Sequence, residues 1–395
     1  LLKIKFIVLL ILAVYLTGCS DAPSPIGVDE LGNDLIKVKV YDSQVDNATQ
    51  NSNSFKKILP LGASSYCLLG NSLGVKSTLL LQFNVNFDEA TLNAIKKDSI
   101  TLLSARIVLK KAYGIGDTLQ SFPVAQVNGY RVTSSWDPLK VKIDSMPSVD
   151  YSTDILSAKP APDSFYYFNV NNAIALQWMK NSYDTINFRN DGLLLRAETA
   201  TPYIIGFQGY SATGENAPKI ELKFRYLSTN KDTTISFRTL SDAHLIEDAT
   251  PTLATDEIVV KSGTTLQSKL FFDLSSIPAN AFINNAEIVL MADTTKQVIG
   301  NIGLKSLSLG LIETLTSDSV FTTNSLITAT LFYSAGKYSG NLTTVMRQVH
   351  ANKKNLGFVI TTSNPVEGLE TIYLKNSNAA AGLKPRLIVT YSKID

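Results

Sequence analysis

The side chains best suited to chemistry in this chain are few and scattered. Its 395 residues hold two cysteines, Cys19 and Cys67, and two histidines, His244 and His350. A zinc site, a disulfide framework or a Cys/His nucleophile needs such residues in clusters. His244 follows Asp242 in the loop-like Ser241-Asp242-Ala243-His244, and His350 closes a short amphipathic stretch. Without a positioned partner, each reads as solvated or cap-bound rather than catalytic. Cys67 lies in the apolar, strand-like Ser65-Tyr66-Cys67-Leu68-Leu69-Gly70 with no basic neighbour to lower its pKa, so it reads as a buried, inert thiol.

The acids offer little more. Asp88-Glu89, Asp137-Pro138 and Asp163-Ser164 have turn-like settings that capping and Asx chemistry explain. Whether two carboxylates approach to glycosidase spacing is decided by the fold. No Gly-x-Ser-x-Gly elbow, Walker-type loop or EF-hand run occurs, and Gly114-Ile115-Gly116-Asp117 reads as a hairpin turn. The expectation is a protein that is not an enzyme, with no cofactor and no metal. Aromatic residues remain, because sugar rings set their apolar faces on exposed Trp or Tyr with polar groups at the rim. The candidate ligand-binding residues are Trp136, Tyr130, Tyr166, Tyr167 and Tyr210, with Trp136 open between core and platform. Trp178 falls on a helical apolar stripe and reads as core.

The segment that places the chain comes first. Lys3 and Lys5 precede an apolar run over 6–16, and Leu16-Thr17-Gly18-Cys19 ends it before the polar Ser20-Asp21-Ala22-Pro23. This is a secretory signal arrangement, too short to cross a bilayer as a permanent helix. Its end resembles the bacterial lipobox, in which the cysteine is lipidated. Residues 1–18 are thus expected to be a signal peptide, Cys19 the lipidation site and 19–33 a Pro/Gly-containing tether. The expected location is lipid-anchored beyond the inner membrane, at the outer membrane or cell surface.

Beyond the tether, short apolar or alternating runs at 35–41, 78–85, 105–110, 192–196, 204–210 and 219–226 alternate with Gly, Asn, Asp, Ser and Pro. That spacing predicts an all-β sandwich or barrel. Two helices are predicted, one around 170–179 with Val170, Ile174 and Trp178 on one face, and one over 341–351 with Leu342, Met346 and Val349. A composition of 45% hydrophobic and 18% charged residues excludes disorder. Lys+Arg 36 against Asp+Glu 34 leaves no field to draw nucleic acid.

The order of signals repeats. Leu79-Leu80-Leu81-Gln82-Phe83 matches Leu270-Phe271-Phe272-Asp273-Leu274, and Ala105 with its following strand matches Ala286. Gly192-Leu193-Leu194-Leu195 matches Gly357-Phe358-Val359-Ile360, and Pro218 with its closing strand matches Pro385. Two domains follow, 34–228 and 229–395, parted at the polar stretch 227–232.

The ordered set in the first copy resembles the DNRLRE-type domain, a jelly-roll-like β-sandwich of bacterial extracellular proteins related to a carbohydrate-binding module family. The matching elements are the strand at 78–83, Ala105-Arg106-Ile107-Val108-Leu109, Ser135-Trp136-Asp137, the Phe168 to Trp178 segment, the Gly192 strand and the Pro218 strand. The second copy keeps 268–274, 286–290, 357–360 and 385–391 but has no counterpart of either tryptophan, and the motif that names the family does not occur. The lipobox, tether and two-copy length are also similar to surface lipoproteins of the Bacteroidota. The resemblance implies two tandem jelly-roll-like β-sandwich domains, each with one or two short helices. It also implies a non-catalytic surface protein that binds or accompanies polysaccharide. The alternatives are a structural or adhesive lipoprotein that docks another surface protein and, more remotely, a glycoside-active enzyme.

Overall fold

The computed structural model describes residues 36–394 except 264–265, 302, 304–305 and 318–319. The expected signal peptide, Cys19 and the tether lie outside the described residues. Within them the chain forms antiparallel sheets of 12 and 11 strands, each curled around its own apolar core. The predicted all-β sandwich class is what the structure shows.

The strands in chain order are β1 (Ile36–Asp42), β2 (Gln50–Lys56), β3 (Tyr66–Ser72), β4 (Val75–Phe83), β5 (Ile100–Leu109), β6 (Lys111–Gly116), β7 (Val127–Val132) and β8 (Val149–Asp150). Then come β9 (Leu156–Ala158), β10 (Tyr166–Val170), β11 (Leu193–Ala197), β12 (Tyr203–Gln208), β13 (Lys219–Tyr226) and β14 (Lys231–Asp248). The rest are β15 (Glu257–Lys261), β16 (Leu266–Phe272), β17 (Phe282–Met291), β18 (Ser306–Leu315), β19 (Phe321–Ser334), β20 (Lys337–Asn341), β21 (Phe358–Thr362), β22 (Thr371–Lys375) and β23 (Arg386–Ile394).

In the first lobe one face carries β6, β12, β3, β4, β11, β7 and β8, and the other β13, β5, β10 and β9. The long β14 belongs to both: Lys231 to Arg238 pair with β13, and beyond a register shift Ser241 to Asp248 pair with β4. Leu79, Leu81 and Phe83 of β4 meet Ile107, Leu195 and Phe207 in the core. The alternate residue Leu80 faces a satellite cluster with Tyr130, Leu194 and Leu245. Burial on both faces explains why β4 reads as a continuous apolar run rather than an alternating one. The second lobe sets β1, β23, β17, β20 and β19 against β18, β21, β16, β15 and β22, around Leu270, Phe272, Ile288, Leu309 and Leu387.

Both predicted helices form, as Asn172–Asn181 and Thr343–Asn352, and bury Trp178 and Met346 with Val349. A third, Glu89–Lys96, starts from Asp88, whose Oδ1 accepts the Thr91 N–H at 2.7 Å. Asp137 and Asp163 likewise accept backbone N–H groups two residues on. Two local readings differ from the structure. The Gly114-Ile115-Gly116 stretch is strand, paired with β12. His244 is not in a loop: it lies in β14, fully buried, with neither ring nitrogen partnered among the described residues. Two polar residues upstream of it hid a strand whose Ala243, Leu245 and Ile246 are all buried.

The registers test the repeat. Ala105 pairs with Leu222, and Ala286 with Val389, so the second and fourth matches agree with each other. Gly192 and Gly357 also correspond: both have positive φ, and a Cβ on either would lie 2.2 or 2.4 Å from a carbonyl oxygen of the neighbouring strand. The first match is displaced. Leu193 pairs with Leu81 and Phe358 with Leu270, so Leu270 stands where Leu81 does, two residues from the expected Leu79.

The boundary needs a further correction. Residues 228–229 fall in the tip of the β13–β14 hairpin, where Tyr226 pairs with Lys231. The leading strands, meanwhile, are crossed. β1 pairs with β23 and β2 with β16, both in the second lobe, while β14 completes the first. The crossed segments occupy equivalent places, β1 and β14 on the closing strands β23 and β13, β2 and β14 on β16 and β4. One lobe is thus 66–248, the other 257–394 together with 36–56. An alternating pattern records which face of a strand is buried and carries no address for its partner.

Candidate functional site

The lobes meet through a cluster in which Leu68, Tyr113, Ile115, Ile204 and Ile246 of the first lobe, with Leu61 of the linking segment, pack with Leu369 of the second. Polar bonds cross beside it. The Tyr113 hydroxyl donates to Glu370 Oε1 at 3.1 Å and accepts the Leu369 N–H at 3.1 Å. Ser262 donates to the other oxygen of Glu370 at 3.0 Å. Gly114 N–H donates to Asn301 Oδ1 and Asn301 N–H returns to Gly114 O, at 2.9 and 3.1 Å. Lys261 and Asp248, both nearly excluded from water, form an ion pair at 3.1 Å. Gly300 permits the approach, since a Cβ there would sit 2.5 Å from the Tyr113 ring.

A cleft of about 460 Å³ opens along this seam, lined by Tyr66, Tyr113, Ser262, Ser363, Glu367 and Glu370 among others. Tyr66 stacks on Tyr113 with centroids 5.9 Å apart and planes 21° from parallel. Tyr113 is fully buried, so it backs the ring of the half-buried Tyr66. Burial pushes both phenols above their ordinary pKa, with Glu370 adding to the effect on Tyr113 and Glu367 to that on Tyr66. Glu367 accepts the Ser65 N–H at 2.7 Å and the Ser64 O–H at 3.2 Å. Ser306 and Ser363 pair their hydroxyls at 2.7 Å on the same wall. A braced aromatic face surrounded by hydroxyl and carboxylate groups can hold a polyhydroxylated ring by stacking and hydrogen bonding.

None of the sequence-derived candidates lines this cleft, and only Trp136 and Tyr130 come together. Tyr166 is buried in the first core, its ring edge-on to Phe122 and Phe207, and burial raises its phenol to about 12. Its neighbour Tyr167 turns to the opposite face, under the Arg106 guanidinium. Tyr210 is exposed beyond β12, its N–H bound to the buried Asp242 at 2.5 Å. Trp136 and Tyr130 do share one cluster, the satellite outside β4 and β11. There the Trp136 ring N–H donates to Asp191 O at 2.9 Å, and the Tyr130 O–H donates to Glu198 at 2.7 Å while Arg196 covers its ring.

Cys67 is buried in β3, and burial, with Asp242 adding to it, pushes its thiol well up. His350 is half-buried in the last turn of its helix. Among the described residues, no group of three or more His, Cys, Asp or Glu is placed to hold a metal ion, and no helix is long and apolar enough to cross a membrane. The cleft residues escaped sequence reasoning because they come from distant segments of the chain. The usable signals were Tyr113 beside Gly114 and Gly116, and two glutamates within the loop-like Asn364-Pro365-Val366-Glu367-Gly368-Leu369-Glu370. No protein-family model matches the chain, and no curated protein or solved structure matches it either.

Proposed function

We propose that this is a non-catalytic glycan-binding protein whose saccharide site is the cleft between the lobes, held at a bacterial surface by lipid on Cys19. The observation that carries the reading is the Tyr66 ring, braced by Tyr113 and flanked by hydroxyl and carboxylate groups. The resemblance to the DNRLRE-type domain supports the same ligand class. A glycan array probed with the chain from residue 34 onward tests it: saturable binding is expected, lost in Tyr66→Ala and retained in Trp136→Ala and Tyr210→Ala. Absence of binding to every glycan would favour protein docking instead. Metabolic labelling with a fatty-acid analogue, abolished by Cys19→Ser, tests the anchor.

A second reading, glycoside cleavage, draws on Glu367 and Glu370 lining one cleft. Against it, all four carboxylate oxygens already accept a protein donor: Ser64 and Ser65 on Glu367, Tyr113 and Ser262 on Glu370. Sugar release by the wild-type protein that disappears in Glu370→Gln would reinstate it.

A further inference from the structure

The two lobes differ at one end. In the first, the connection from β4 to β5 carries the helix Glu89–Lys96, whose Ile95 joins the core beside Trp178 and Met179. In the second, the equivalent connection from β16 to β17 is shorter, residues 273–281, and has no helix. The helix Thr343–Asn352, counterpart of Asn172–Asn181, therefore keeps one flank uncovered. A cavity of about 360 Å³ remains there, walled by Leu274, Ile277, Ile283, Met346 and Val349.

Its mouth is polar and carries an excess of positive charge. His350, Lys353 and Lys354 stand at the end of the helix. The His350 Nε2 is shielded from water and has no hydrogen-bond partner among the described residues. Lys354 reaches the Glu313 carbonyl at 2.9 Å, a contact that leaves its charge unneutralised. One acid, Asp273, shares the mouth, its carboxylate accepting the Ser275 N–H at 3.0 Å and held low by it.

We propose that this cavity binds a medium-chain fatty acid, the acyl chain lying on the flank that Ile95 and its helix cover in the other lobe and the carboxylate accepting from Lys353 and Lys354. The volume lies at the small end of ligand pockets, roughly 300–1,000 Å³. The walls supply apolar contact along the chain, and the two ammonium groups supply charge-assisted donors at its head.

Isothermal titration of the full chain with decanoate tests the assignment, with octanoate, decanol and butyrate as comparisons. Saturable binding of decanoate is expected, weaker by about fifteenfold for octanoate because each buried methylene contributes about fourfold, and undetectable for butyrate. Ala279→Trp, at an exposed position on the mouth, should abolish binding while leaving the unfolding midpoint unchanged. Lys353→Glu with Lys354→Glu should weaken decanoate about tenfold and leave decanol unaffected. No saturable heat with decanoate, or binding that survives Ala279→Trp, overturns the proposal. Decanol binding as tightly as decanoate overturns the assignment of an acid head.

Discussion

Replacing Tyr113 by Phe removes one oxygen atom from the seam between the lobes and leaves the ring packing intact. That oxygen donates to Glu370 and accepts from the Leu369 N–H. Its loss takes away a hydrogen bond to a carboxylate and strands a buried N–H. Bonds to charged groups contribute about 1.5–3 kcal/mol and an unsatisfied buried group costs about 1–3 kcal/mol. Some of this is recovered by the more apolar ring, so a net loss of about 3 kcal/mol is expected. The chain has a built-in way to see where the loss falls, because its two tryptophans, Trp136 and Trp178, both lie in the first lobe. Tryptophan fluorescence in urea follows that lobe alone, and far-ultraviolet circular dichroism follows both. In the wild type the two curves should coincide, the signature of one cooperative transition. In Tyr113→Phe the midpoint should fall by about 1 M, for a slope near 3 kcal/mol per molar, and the curves should separate. Unchanged midpoints with curves still superimposed would refute the idea that this hydroxyl couples the lobes.

Three further outcomes follow from the same reasoning. His244 is buried with both nitrogens unpartnered among the described residues, and its pKa is driven down to about 3 from 6.5 by burial. The unfolded chain therefore binds the extra proton below 6.5, and this residue alone makes stability fall with acidification between about pH 6.5 and 3, at about 1.4 kcal/mol per pH unit. Asp242, raised by burial from 3.8 to about 6, acts oppositely, losing its contribution as pH rises through that window. His244→Leu should stabilise the protein by about 1–3 kcal/mol near neutrality, and urea titrations should show that advantage growing as pH falls from 6 to 4, because the imidazole that the unfolded chain protonates is gone; an advantage that does not change with pH counts against the burial argument. Phe55 is the one buried side chain of β2, so Phe55→Ala should cost roughly 2–4 kcal/mol and speed hydrogen exchange along β2 and β16 before the rest of the lobe. Gly192→Ala places a Cβ 2.2 Å from the Leu81 oxygen at φ +90° and should cost roughly 3 kcal/mol or more; a calorimetric scan showing no loss would sink the claim that this glycine is required.

Much of the architecture was legible because strand chemistry is local. Ile220, Leu222 and Phe224 alternate with exposed or half-buried neighbours in β13 and mark an inner face directly. The duplication was legible too, yet one of its four matches slipped by two residues. A shift of two returns every side chain to the same face of the sheet, so the apolar pattern fits Leu79 against Leu270 as well as Leu81. Only the backbone pairing, with Gly192 and Gly357 beside the strand, distinguishes them. The site was less legible for a related reason. Tyr66, Tyr113 and Glu370 have unremarkable neighbours in sequence and acquire meaning only when two lobes close on each other. Among the chosen aromatics, Tyr166 and Tyr167 are adjacent, and the pleat alone sends one into the core and the other outward.

The crossed leading strands have a consequence for how the molecule is made. In the order in which the chain is delivered, β1 and β2 come ahead of every other described strand, yet their partners are β23 and β16, and Ile36 pairs with Ile394. The first lobe can finish as soon as β14 is out; the second must wait for a strand synthesised at the start. During that interval β2 is an unpaired edge, a standing invitation to aggregation. Its sequence, Gln50-Asn51-Ser52-Asn53-Ser54-Phe55-Lys56, is suited to waiting, with one apolar residue among amides, hydroxyls and a charge. The late pairing spans nearly the whole chain, so its loop-closure entropy makes it a slow step of folding. A nascent chain released before β23 would carry a finished first lobe and an open second one, and would be the species that chaperones and proteases meet.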